Sequence, residues 1–287
     1  MMWQSLSSLK NPKIKDLRAF FKGQAQDASL LVIEGQRSCQ EALEALRTDT
    51  SSFAIEALWV SSSLKSQEVF QRLIGRYQSL LSDVACYEVK DFIFEQMSEQ
   101  TSTQGLMLSL RDQGQRNEAE AFLKDYFGLP EHKRWPLILL DGVQDPGNVG
   151  TLFRSAKAFC SGGVICGHGT ARVLKPKVLR SSLSSVLQVP FLEQVDLPAF
   201  VEAFRALGGE ALALDLDGLS LETFTKQRAM TPKKPFALVL GNEGAGISKS
   251  LRAACDRAVT IPMPGGFESL NVGVAGAIAL YHFGVLS

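Results

Sequence analysis

The second half of this chain carries a series of short, almost wholly apolar segments: PLILL (136–140), GVIC (163–166), ALALDL (211–216), FALVL (236–240) and AVTI (258–261). Stretches with helical spacing or polar turns separate them. Segments apolar on both faces do not suit a sheet with one side in water. They predict parallel strands with helices on both faces, an α/β fold. In such sheets ligands collect beyond the carboxyl ends of the strands. The turns that follow these segments are therefore where function is to be sought.

Three of those turns stand out. The first, DGVQDPGN after Leu140, opens a helix marked by Leu152, Phe153, Ala156 and Phe159. Asn148 stands at its entrance, where capping is the simplest role, and Arg154 falls on the flank of the apolar stripe. The second, GNEGAGIS, is rich in glycine. The spacing of Gly241, Gly244 and Gly246 does not match a dinucleotide fingerprint, and Ile247 stands where a phosphate-binding loop needs lysine. Glu243 in that turn then needs a cationic or hydrogen-bonding partner. The third, IPMPGGFESLN, is expected to enter a helix near Ser269, and Gly273, Ala275, Gly276 and Ala277 permit close packing there. A hydrolase is set aside: no G-x-S-x-G elbow is present, and His132, His168 and His282 lie outside the three turns.

The first half alternates strand-like runs (LLVIEG, FAIEALWV, ACYEV, GLMLSL) with helical stretches such as 38–46 and 67–81. With 287 residues there is room for two cores. The expected division is a smaller α/β domain over 1–110, a linker over the polar stretch 111–134, and a second domain over 135–287. Apolar residues at 45% and charged residues at 21% exclude a disordered chain. Five dispersed cysteines without a Cys-x-x-Cys pair suit a reducing compartment, and no metal site is expected. The N-terminus lacks the apolar core of a secretory signal, so a cytoplasmic location is expected. The apolar stretch Leu270 to Leu286 is short for a bilayer and reads as a buried helix. Net charge is zero, yet Lys10, Lys13, Lys15, Arg18 and Lys22 crowd one segment and Arg172, Lys175, Lys177 and Arg180 another. Each cluster is either a phosphate grip or a solvated face.

Taken together and in order, D-P-x-N-x-G…R, L-G-N-E-G-x-G and I-P-M…S-L-N-V resemble the three motifs of the SpoU (TrmH-like) branch of the SPOUT RNA ribose 2'-O-methyltransferases. The resemblance runs from about Leu137 to the C-terminus. More weakly, NPKIK, LVIEG and TQG resemble the ribosomal-protein-like substrate-binding domain attached to such enzymes. This resemblance implies a deep trefoil knot, a homodimer through the catalytic domain, and S-adenosyl-L-methionine as cofactor. It implies RNA as partner, ribosomal before transfer RNA. Carried over by position, it gives catalytic roles to Asn148, Arg154, Glu243, Ser269 and Asn271. Leu214, Gly241, Asn242, Ile261, Met263 and Leu270 are then expected at the cofactor, and Lys13, Lys15, Arg18, Arg37, Lys177 and Arg180 on RNA. Two departures bear on substrate identity: Ser182, Leu183 and Ser184 stand where the family commonly reads Ser-Ala-Gly, and Gly273 replaces a common serine. A base-methylating enzyme of the same fold and a non-catalytic RNA-binding relative are the alternatives.

Overall fold

The computed structural model describes residues 2–47, 52–98, 100, 103–114, 118–228, 234–265 and 269–285. The chain forms two units, Met1–Gln115 with Leu174–Gln188, and Arg116–Val173 with Val189–Ser287.

The first unit runs β1 (Trp3–Leu6), α1 (Pro12–Phe21), β2 (Leu30–Glu34), α2 (Gln36–Ala45), β3 (Phe53–Ser61), α3 (Ser62–Lys65), α4 (Glu68–Arg76), β4 (Ala85–Val89), α5 (Asp91–Met97) and β5 (Leu106–Asp112). Its sheet order is β1-β4-β3-β5-β2; β5 is antiparallel to β2 and β3, and the other pairs are parallel. α1 begins at Pro12, whose fixed φ suits a first turn, and Asn11 accepts the Lys13 N–H at 3.0 Å. Ile14, Leu17, Phe20 and Phe21 then bury one side of the helix.

The second unit contains α6 (Ala119–Gly128), β6 (Leu137–Asp141), α7 (Pro146–Ala158), β7 (Gly163–Gly167), β8 (Phe191–Val195), α9 (Leu197–Ala206), β9 (Glu210–Ser220), α10 (Leu221–Arg228), β10 (Phe236–Gly241), α11 (Lys249–Ala254), β11 (Arg257–Thr260) and α12 (Val272–Val285). Strand order is β11-β9-β10-β6-β7-β8, and every pairing is parallel. All five expected apolar segments are strands of this sheet, and residues 137–140 of β6 are wholly buried. β1 and β8 were not among the strands expected. Both lie at sheet edges, where one side is unpaired and WQSL or FLEQV can stay partly polar.

Two stretches show more structure, or less burial, than their sequence alone conveys. Within 111–134, read as a linker with one short amphipathic piece around Ala119 to Phe127, β5 reaches Asp112, and that piece is α6, which buries Phe122, Leu123 and Tyr126 in the core of the second unit. The helix expected to be buried over Leu270–Leu286 starts at Val272, and its end at Leu286 lies outside the described residues. Only one of its faces is covered. Val272, Ala279, Leu280 and Phe283 are buried, while Val274 (47%), Ile278 (39%) and Tyr281 (47%) remain exposed. A Cβ on Gly276 would meet Leu152 and Leu240, so the small residues of this helix serve contact with α7 and β10 inside the chain.

Between β7 and β8 the chain enters the first unit. α8 (Pro176–Ser182) and the short turn Ser185–Leu187 belong there. Pro176 and Leu179 share a ≈ 20 Å³ cavity with Phe21, Val32 and Ile33, and the Ser184 hydroxyl donates to the Ser38 carbonyl at 2.9 Å. Leu183 and Ser184 both have positive φ, 46° and 62°. A glycine at the second position would adopt that conformation without strain.

Among the described residues no helix is long and apolar enough to cross a membrane, and no group of side chains is arranged to hold a metal. All five cysteines are free thiols.

Candidate active site

The candidate site is built where β6, β10 and β11 of the second unit end, beside the middle of β9. Asp145, not Asn148, caps α7: its carboxylate accepts the Asn148 backbone N–H at 3.0 Å. Capping by Asp145 leaves the Asn148 carboxamide available for other bonds. Its Nδ2 donates to Glu243 Oε1 at 2.9 Å, and its Oδ1 accepts from Asn271 Nδ2 at 2.9 Å. Ser269 does not cap α12 either. Asn271 does, its Oδ1 accepting the N–H groups of Gly273 (2.9 Å) and Val274 (3.2 Å). One continuous chain of side-chain hydrogen bonds, Asn271 to Asn148 to Glu243, thus joins the three turns.

Glu243 also accepts the backbone N–H groups of Gln144 and Asp145, each at 3.3 Å. Partial burial pushes its carboxyl pKa up. The Asn148 donor and the backbone N–H groups outweigh that and hold it below the usual carboxylate range. Glu243 therefore stays ionised and is a weak base.

The turn that carries Glu243 is held from within. Asn242 Nδ2 donates to the Gly142 carbonyl at 2.7 Å, and its Oδ1 accepts the N–H groups of Gly244 and Ala245 at 2.9 Å. Asp141 accepts the Ser248 N–H at 2.7 Å. Neither anchor was singled out as one from the sequence. Their signal was present, since Asn and Asp beside glycines favour side-chain-to-backbone turns. A Cβ on Gly241 would overlap the backbone of Gly246 and Ile247, so only glycine permits this closure.

Beside the hydrogen-bonded chain lies a cleft of ≈ 630 Å³, within the usual range for small-ligand sites. Leu214, Gly241, Asn242, Ile261, Met263 and Leu270 all line it, as do Glu243, Ser269 and Asn271. Of the residues expected in the site, Arg154 stands apart. It lies six residues beyond Asn148, about 9 Å along the helix axis. It is exposed and makes no hydrogen bond or ion pair among the described residues.

The six residues expected on RNA all belong to the first unit, Lys177 and Arg180 included, because α8 packs there. Lys13 lies with its ammonium 5.0 Å from the centre of the Tyr87 ring, and Arg37 pairs with Glu41 at 3.1 Å.

The family model described as the SpoU rRNA Methylase family matches residues 136–281. The chain is 30% identical over 245 residues to the 23S rRNA (guanosine(2553)-2'-O)-methyltransferase RlmP of Bacillus subtilis, covering 82% of this chain and 90% of that protein. Among solved structures, an AdoMet-bound rRNA methyltransferase from Sinorhizobium meliloti superposes with a TM-score of 0.77 at 22% identity, covering 99% of each chain. A TrmH-family protein from Porphyromonas gingivalis gives 0.71 at 28% identity, covering 98% of this chain and 100% of that one. The family model spans half of the chain and holds all three turns joined by the hydrogen-bonded chain, and with the 30% identity to the Bacillus subtilis protein over most of both lengths, the chain belongs to the SpoU rRNA Methylase family.

Proposed function

We propose that this chain transfers a methyl group from S-adenosyl-L-methionine to a ribose 2'-hydroxyl of structured RNA, with ribosomal RNA preferred to transfer RNA. The observation that carries the reading is the Asn271–Asn148–Glu243 chain at the edge of the cleft. The names of the Bacillus subtilis relative and of a Coxiella burnetii 23S rRNA (guanosine-2'-O-)-methyltransferase, 34% identical over 146 residues, support the ribose and the ribosomal RNA.

The residues present suit the cofactor. Leu214, Leu216, Ile247, Ile261, Met263 and Leu270 give apolar walls for an adenine ring, and the turn backbone around Gly241 to Gly246 supplies polar groups at the rim. When bound, S-adenosyl-L-methionine supplies an electrophilic methyl group on a sulfonium. The chain's own residues must then position the ribose and stabilise its developing alkoxide. Asn271 has a second Nδ2–H with no acceptor among the described residues, at the cleft wall, and Ser269 adds a hydroxyl there. Glu243 orients Asn148, and Asn148 orients Asn271. Arg154 keeps its proton, because guanidinium stays charged, and acts on the RNA phosphate and the alkoxide electrostatically. A phosphate oxygen or water takes the hydroxyl proton.

Arg154 does not reach the hydrogen-bonded chain of its own subunit, which supports a homodimer in which the site is completed by a second copy. The exposed stripe of Leu270, Val274, Ile278 and Tyr281 along and just before α12 is an apolar face of the kind a partner subunit covers. The trefoil knot belongs to the same reading. Its support is the likeness of the three motif turns to those of the family.

Mapping 2'-O-methyl groups in total RNA from cells with and without this protein tests the reading. One ribose mark is expected to vanish and to return with the wild-type gene but not with Asn148→Ala. An unchanged ribose map, or a lost base methylation in its place, overturns it.

A further inference from the structure

The loop after β7 belongs to none of the three motif turns, yet it is bonded to the first of them. In the sheet β6 lies between β10 and β7, so the turn after β6 has the Glu243 turn on one side and residues 168–173 on the other. Strand pairing between β6 and β7 stops at Leu140 and Cys166. Beyond that point Thr170 takes over. Its buried hydroxyl donates to the Leu140 carbonyl at 2.8 Å, and the N–H of the next residue, Ala171, donates to the Val143 carbonyl at 2.9 Å. The far end of the loop is fixed as well: Glu193 of β8 accepts the Val173 N–H at 2.9 Å and pairs with Arg172 at 3.1 Å.

A buried threonine that bonds a strand-end carbonyl is an ordinary structural device. The peptide group between Val143 and Gln144 makes this one more than that. Its carbonyl accepts from Ala171, and its N–H donates to Glu243 Oε2 at 3.3 Å. A trans peptide is planar, with C=O and N–H pointing in opposite directions. Fixing the carbonyl on the β7 side therefore aims the N–H at the carboxylate on the β10 side. The two bonds also share one polarised amide, so each strengthens the other.

We propose that Thr170 is a positioning residue for methyl transfer: by setting the loop against Leu140 it holds the 143–144 peptide plane, so that Glu243, and through it Asn148, keeps its orientation. This role rests on the methyltransferase reading, whereas the contacts themselves do not. Valine has nearly the shape of threonine but no donor, and would withdraw the hydrogen bond from a buried carbonyl.

Thr170→Val and Thr170→Ser in the full chain test this. The valine variant should lower kcat for RNA methylation about tenfold and S-adenosyl-L-methionine affinity, read by calorimetry, by less than about threefold. Its Glu243 carboxyl-carbon titration should move up toward the ordinary glutamate midpoint, because the Gln144 donor that favours the ionised form is turned away. Thr170→Ser keeps the hydroxyl and should restore both. A valine variant with wild-type kcat overturns the proposal. So does one whose kcat falls with its melting temperature while the Glu243 midpoint is unchanged, since Thr170 then serves stability alone. If the valine variant does not fold, amide hydrogen exchange in the wild type decides: the Ala171 N–H is expected to be as protected as those of β7, and exchange at the rate of an exposed loop overturns the proposal. A wild type that methylates no RNA, yet shows the Glu243 shift on Thr170→Val, sinks the methyltransferase reading and leaves the positioning contact standing.

Discussion

Glu243 accepts one carboxamide N–H and two backbone N–H groups, and its ionised form is the one these donors favour. Its contribution to site order is therefore present above the ordinary glutamate value of about 4.3 and is lost only as pH falls through the depressed folded value. A carboxyl-carbon titration followed by NMR should give a midpoint below that of an unstructured glutamate, and Glu243 should add no inflection to activity between neutral and alkaline pH. Glu243→Gln sets an amide NH₂ against donors. Methylation should fall on the order of tenfold to a hundredfold, with cofactor affinity changed far less. Arg154→Lys keeps the charge and loses the planar fork, so near-wild-type kcat with an unaltered pH profile would refute the electrostatic role given to Arg154. At this scale the sequence named the members of the hydrogen-bonded chain but not their geometry. Asp145 and Asn148 are both good capping types within one turn of each other, and so are Ser269 and Asn271. Spacing alone could not tell which residue spends its side chain on the helix end and which is left for the site.

The elements that hold the site make their own predictions. Asp145→Ala removes the α7 cap and should cost about 1 kcal/mol in urea denaturation, with a further loss of activity if the Asn148 carboxamide is drawn into capping. Gly241→Ala pushes a methyl group into the Gly246 and Ile247 backbone, so the turn must open. Cofactor binding measured by calorimetry should be lost while circular dichroism still reports the α/β fold. Strands were the most legible elements, because parallel strands covered on both faces must be apolar throughout. Short helices were the least legible. α3, α5 and α11 have seven residues or fewer, too few turns for a periodic stripe to stand out.

For the whole molecule, the uncovered side of α12 is the decisive feature. Val274→Glu or Ile278→Glu places a charge in the apolar stripe and should convert the proposed dimer to monomer in sedimentation, with RNA methylation lost and the melting curve of each subunit still cooperative. A variant that remains dimeric would move the interface elsewhere. The first basic cluster shares a unit with Lys175, Lys177 and Arg180 of the second, while Arg172 falls in the other unit, although about 160 residues separate the two clusters in sequence. No periodicity could reveal that, because it depends on where α8 packs. The path through Leu174–Gln188 also means that the polypeptide passes between its units three times, so no single cut releases either one intact. A fragment ending near residue 115 would leave Val32 and Ile33 without the Leu179 cover. The complementary fragment would carry Val178 and Leu179 as an orphaned greasy loop. Separately expressed halves should aggregate, and a soluble N-terminal piece should require α8 to be grafted back onto it.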